Sequence, residues 1–225
     1  MAAVTHRVTT PDTGNLTNVS GAFTPSVGDL LVVFVTVEGN TVDRTLTSSI
    51  GGFTFTQIRK QLFRTSADAV YVYVSAALVT SATSQTVTIN GTGSGSIISV
   101  YSVSGMTRVN SAAVRQQGGQ SNQTTGTTPA PAFAGNALTA NCCIGAIANA
   151  TNPAGMTAPG SWSESQDVGY TTGAVTGMET AFRNSGETGT TITWGSTSPS
   201  AFASIIIELD ISVPPAGTAN MLLAF

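Results

Sequence analysis

Apolar residues in this chain come in short runs separated by Gly, Pro, Asn and Ser, and helical spacing is almost absent. Residues 30–37 (LLVVFVTV) are apolar throughout, the pattern of a central strand covered on both faces. Residues 53–58 alternate, which sets Phe53 and Phe55 on one face. Along 69–77 the alternation puts Tyr71 and Tyr73 on one face and Val70, Val72 and Val74 on the other. Residues 86–89 and 96–103 flank Asn90-Gly91-Thr92-Gly93-Ser94-Gly95, whose glycines supply the positive φ of a tight reversal, so a hairpin is expected there. Between 107 and 131 the pattern dissolves into polar, glycine-rich sequence, with one short strand expected around 111–115. It returns in strands expected at 139–148, 162–165, 174–182, 190–194 and 203–211.

These two stretches repeat each other. Gly28-Asp29-Leu30-Leu31 matches Gly135-Asn136-Ala137-Leu138, and Phe53-Thr54-Phe55-Thr56 matches Trp162-Ser163-Glu164-Ser165. Val72-Tyr73 matches Ala181-Phe182, Thr86-Val87-Thr88-Ile89 matches Thr191-Ile192-Thr193-Trp194, and Ser96-Ile97-Ile98-Ser99-Val100 matches Ser204-Ile205-Ile206-Ile207-Glu208. The five matches keep their order at offsets of 105 to 109 residues. A unit of about four strands is open-edged and marginal alone, whereas two such units can bury one apolar face each against the other. The expectation is an all-β fold, a two-sheet sandwich or jelly roll of two pseudo-repeated halves. The halves run from about 21 to 105 and 130 to 212, with 107–131 a polar excursion inside a domain spanning 1–212. Two separate small β domains are the competing arrangement, but the joining segment lacks the charged or Pro-rich character of a spacer. Pro214 and Pro215 cut the last strand off from an apolar tail, 213–225. Its large side chains, Met221, Leu222, Leu223 and Phe225, are the candidate subunit contact, unless they dock on their own sandwich.

Charge changes this picture most. Only 8% of the 225 residues are charged, against about 25% in an average soluble domain. Such a surface suits a protein packed against its own copies, because charged side chains are costly at interface cores; it also suits a secreted β protein with a Thr/Ser-rich surface. The net charge is −3, and the eight basic residues are scattered apart from Arg59-Lys60 with Arg64. That leaves no electrostatic footprint for nucleic acid. The start of the chain lacks a basic segment followed by an apolar run, and no stretch reaches the roughly 18 apolar residues of a membrane span, so neither a signal peptide nor a membrane partner is expected. Cys142 and Cys143 are adjacent and point to opposite strand faces, so buried thiols rather than a disulfide are expected. The lack of a disulfide framework fits cytoplasmic synthesis.

Candidate chemistry is thin. His6 is the one histidine and sits near the chain start, which argues against Ser-His-Asp, Cys-His and histidine-zinc arrangements. Among eleven acids, Glu164 with Glu179 is the best pair for a glycosidase. Glu208 and Asp210 share a strand face, but the EF-hand pattern is absent. Residues 91–95 lack the following helix and lysine of a phosphate loop. Trp162, Trp194, Tyr71, Tyr73, Tyr101 and Tyr170 either form a sugar-stacking platform or, at strand spacing, fill the core. No catalytic, cofactor-binding or metal residue is assigned, and a non-enzymatic protein without cofactors is expected.

The segment Phe23-Thr24-Pro25-Ser26-Val27-Gly28-Asp29-Leu30-Leu31-Val32-Val33-Phe34-Val35 resembles a recurrent opening in structural proteins of tailed bacteriophages. Val70-Tyr71-Val72-Tyr73, Ser99-Val100-Tyr101-Ser102-Val103-Ser104-Gly105 and Thr125-Gly126-Thr127-Thr128-Pro129-Ala130-Pro131 continue the similarity. The resemblance implies a β-sandwich of the virion, made in the host cytoplasm and displayed on a capsid or tail as a decoration or cementing protein. Its partners would be its own copies, as a homo-oligomer (a trimer at capsid three-fold positions), and the major capsid protein or other virion proteins. The resemblance brings no functional residues. The rival reading is a carbohydrate-binding or host-adhesion module of a tail or head fibre, with surface glycans as ligand; a polysaccharide-acting enzyme is the third.

Overall fold

A computed structural model describes residues 2–11, 17–39, 43–63, 68–90, 95–123, 126–150, 156–168, 177–196 and 200–211. Its strands are β1 (Ala3–Pro11), β2 (Thr17–Val19), β3 (Leu30–Glu38), β4 (Leu46–Ser48), β5 (Phe55–Phe63), β6 (Asp68–Ser75), β7 (Val87–Asn90) and β8 (Gly95–Ser104). After a 3-10 turn, Asn110–Ala113, come β9 (Val114–Asn122), β10 (Cys142–Asn149), β11 (Ser163–Val168), β12 (Gly177–Arg183) and β13 (Phe202–Leu209). They form an all-β sandwich of two antiparallel five-stranded sheets, ordered β1-β8-β3-β6-β5 and β11-β12-β10-β13-β9. A small third sheet, β2-β7-β4, lies outside the first. No helix among the described residues is long and apolar enough to cross a membrane.

The runs that are apolar on both faces have a physical explanation in this layering. Leu30, Val32 and Phe34 of β3 join Val70, Val72, Tyr101, Ile144, Ala146 and Ile205 in the core between the two large sheets. The alternate residues Leu31, Val33 and Val35, with Tyr71, Tyr73 and Val100, face outward. There they are sealed by Leu46, Val87 and Ile89 of the small sheet. The second half repeats the device with less regular structure: Cys143, Ala181 and Ile206 are covered by Phe133, Met156, Trp162, Ile192 and Trp194. Segment 129–133 is antiparallel to 190–194, with Phe133 N donating to Thr190 O and Ile192 N to Pro131 O. Each core side chain of this size contributes about 1.5–3 kcal/mol on full burial, and the layers bury both faces of the central strands.

Two strands at matching places went unforeseen or nearly so. The polar excursion carries the nine-residue strand β9 in place of the short one expected around 111–115, and β1 lies ahead of the expected start of the first half. Both are sheet edges with mixed polar residues, so neither shows the apolar alternation that marks a strand. With them each half forms one complete sheet. Numbered in chain order within each large sheet, the five strands read first, fifth, second, fourth, third across it, starting from β1 in one sheet and from β9 in the other.

The two sheets face each other in opposite order: β1 lies over β11, β8 over β12, and β5 over β9. Val4 N donates to Asn184 Oδ1 near one end of the sandwich, and Gln61 Nε2 donates to Ser121 Oγ near the other. Reversed order with shared strand direction describes a pseudo-two-fold axis running along the strands. Three of the sequence matches fall on equivalent positions, including Val87 with Ile192 and Ile97 with Ile205. Two slip. The turn that closes Asp29 N onto Ser26 O has its equivalent in Asn141 N onto Leu138 O, several residues beyond the matched Asn136. Val72 faces the central core whereas Ala181 faces outward, a one-residue error that a period of two turns into the wrong face.

Candidate functional site

Edge strands β5 and β9 meet along one side of the sandwich, and polar side chains from both converge at this seam. A bulge between Gln57 and Arg59 changes the face that β5 presents. Beyond it Arg59 and Gln61 turn toward β9, and Gly119 leaves room for them: a Cβ there would stand 2.4 Å from Arg59 Nε. On the next residue the space is tighter still, since a Cβ on Gly118 would stand 2.3 Å from the carbonyl oxygen of Ala132. The Gly118-Gly119 pair of the polar stretch is thus a packing device between two layers.

Near the start of β9 the seam opens into a recess of about 190 Å³, lined by Gln57, Ile58, Ser111, Val114, Arg115, Gln116 and Gln117. Pockets for drug-sized ligands run to about 300–1,000 Å³, so this one suits at most a single small polar group. Arg115 is held in place from behind. Its Nη1 donates to Glu208 Oε2 at 2.7 Å and to Asn136 O at 3.0 Å. Glu208, fully buried, also accepts from Gln116 Nε2 at 2.5 Å, Leu138 N at 2.9 Å and Asn141 Nδ2 at 2.6 Å. The carboxylate clasps β13, the start of β9 and the 135–141 loop together. Its oxygens are fully engaged, so its part is structural.

The other sequence-picked residues disperse. His6 is half-buried on β1, bonded through Nε2 to Thr9 Oγ1 at 2.8 Å and edge-on to Tyr101. Burial lowers its pKa, partly offset by a backbone hydrogen bond at Val8. Glu164 and Glu179 do sit on adjacent strands, but Glu164 is exposed opposite Ala181 while Glu179 is sealed inside the sheet. Asp210 pairs with Arg108 at 2.6 Å and not with Glu208. Lys60 turns outward, pairing with Asp43 at 3.0 Å and lying over the Tyr71 ring, away from its neighbour Arg59; Arg64 lies outside the described residues. Trp162, Trp194, Tyr71, Tyr73 and Tyr101 are all buried, so they serve the core, and Tyr170 lies outside the described residues. Burial pushes the Tyr71 hydroxyl up to about 12 and raises that of Tyr73 further.

Cys142 faces the central core and Cys143 the outer one, both as free thiols. Burial pushes the Cys142 thiol up to about 12 and raises Cys143 as well. Glu187 is a second clasp: its oxygens accept from Trp162 Nε1, Arg183 Nη1 and the backbone N–H groups of Thr188 and Gly189. Burial would raise its pKa, and these hydrogen bonds outweigh it, so the net shift is downward. Among the described residues no three His, Cys, Asp or Glu side chains converge as a metal site would require. The tail residues Met221, Leu222, Leu223 and Phe225 and the tight reversal expected at 91–94 lie outside the described residues. The clasping role of Glu208, considered above only beside Asp210, and the packing role of Gly118 are what sequence reasoning missed; a Glu inside the apolar run ASIIIELDI was the available signal for the first. No protein-family model matches the chain, and no curated protein does either.

Proposed function

We propose that this chain is a structural protein of a virus particle, a decoration or cementing protein of a tailed phage that acts through contacts with its own copies and with shell proteins. The observation that carries the reading is where the charges go. Of a small number of charged residues, Arg7–Asp29, Lys60–Asp43, Arg108–Asp210, Arg115–Glu208 and Arg183–Glu187 are spent in ion pairs within the chain. What faces outward is mostly Thr, Ser, Gln and Asn, which can be covered by a neighbour without the large cost of desolvating ions. The small number of basic residues and the net charge of −3 support a role away from nucleic acid. In this reading the apolar tail, with Met221, Leu222, Leu223 and Phe225, supplies the subunit contact, and a trimer suits three-fold positions of a shell.

A second reading, a carbohydrate-binding or host-adhesion module, draws on the small recess at the seam, where the exposed Gln117 amide faces solvent beside Arg115. The burial of the aromatics weighs against it, since sugar faces stack on exposed rings. The experiment is co-sedimentation of the purified chain with particles that lack it, beside a glycan array. Saturable binding to particles with no glycan hits supports the structural reading; glycan binding with no particle binding overturns it.

A further inference from the structure

We infer that this chain has a second folded state, a dimer in which two copies exchange halves; the inference does not depend on the virion reading. Among the described residues every strand ladder joins strands of the same half: β1, β2, β3, β4, β5, β6, β7 and β8 pair only among themselves. Strands β9 to β13 do likewise. The halves therefore hold each other through side chains, chiefly the apolar central core with Phe34, Tyr101, Ile144 and Ile205. No backbone sheet bond has to break for them to part. The same half in a second copy presents the same face, so two sandwiches built by exchange contain every contact of two separate ones. Exchange of identical elements is a low-cost route to dimers.

One covalent link, residues 105–113, decides between the states. It leaves the end of β8, which lies over β12, and enters β9, which lies under β5. Crossing three strand positions at about 4.8 Å and one sheet gap of about 10 Å means a span of roughly 17 Å. Nine linking residues reach roughly 30 Å, so the link closes within one copy and the monomer is favoured at low concentration. The link also plugs the end of the core with Met106 and Val109, and it is tied down where Arg108 donates to Asp210 and where Thr56 Oγ1 donates to Asn110 Oδ1. Removing residues 106–111 would leave three linking residues and a reach of roughly 10 Å, too short to close within the copy. The halves must then find partners in another chain.

Two arms test this on the full chain. Wild-type copies with two different tags are unfolded together, refolded at low and high concentration, and sized by light scattering. A dimer carrying both tags, growing with concentration and persisting on dilution, is expected. In parallel the chain lacking residues 106–111 is expected at twice the monomer mass at every concentration. Gln61→Cys with Ser121→Cys, placed where the two side chains bond at 3.1 Å across the halves, identifies the exchange. A short thiol cross-linker then joins two chains in the exchanged dimer, but only one chain to itself in the monomer or in a side-by-side dimer. A folded monomer from the shortened chain overturns the inference, as do dimers that cross-link only within each copy. If the shortened chain fails to fold, the wild-type arm decides: monomer alone at every refolding concentration overturns it.

Discussion

Replacing Glu208 by Gln is the most informative single change, because it keeps the shape while removing the charge and half of the acceptor pattern. Oε1 accepts from Leu138 N at 2.9 Å and Asn141 Nδ2 at 2.6 Å; Oε2 accepts from Arg115 Nη1 at 2.7 Å and Gln116 Nε2 at 2.5 Å. An amide keeps one oxygen, so whichever way it turns, two donors meet an NH₂ group. Each orphaned buried donor costs about 1–3 kcal/mol, and breaking a buried charge pair costs about 3–5 kcal/mol. Arg115 is partly exposed, so its share is tempered by solvent. A total of about 3–4 kcal/mol follows, a fall in Tm of roughly 10 °C for a chain of this size. Thermal unfolding by circular dichroism and urea titration, with an unchanged m-value, measure it. Glu164→Gln, on an exposed site, serves as control and should stay within about 0.5 kcal/mol of the parent. A loss below about 1 kcal/mol for Glu208→Gln would refute the claim that this carboxylate holds β9 and the 135–141 loop to β13.

Gly118→Ala should destabilise by about 1–3 kcal/mol, because its Cβ meets the Ala132 backbone. Gly119→Ala should cost less, since it meets only the movable ends of Arg59 and Gln61; equal losses in urea unfolding would contradict the layered seam. Cys142 and Cys143 should resist iodoacetamide at pH 8 in the folded chain and both react in denaturant, read by intact mass; fast labelling of the native chain would contradict their burial. Glu187 has its folded pKa below its ordinary 4.5, so its contribution is complete above that value and is lost as pH falls through the lower folded one. Glu187→Gln should therefore flatten the acid side of the stability curve, and an unchanged pH profile would show that the clasp does not form.

The sequence announced the strands that bury both faces and was silent on those that bury neither. Residues 30–37 and the Tyr71/Tyr73 alternation are legible because a covered strand must be apolar, and their observed facing follows the period of two. Edge strands β1 and β9 pair on one side only and keep Gln, Thr and Arg in water, so no hydrophobic pattern betrays them. Apolar outer faces said that something covers the sheets, but not that the cover is a three-stranded sheet on one side and irregular chain on the other. The seam recess was invisible for another reason: Gln57 and Gln117 are far apart in the chain, and only the facing of the two sheet edges brings them together.

Quantitative mass spectrometry of purified virus particles tests the proposed role most directly. Particles from the source of this chain are banded on a density gradient, and peptides of the chain are counted against those of the major shell protein. The account predicts a fixed, repeating ratio between the two that survives banding. Abundance in the lysate with no peptides in the banded particles would contradict it.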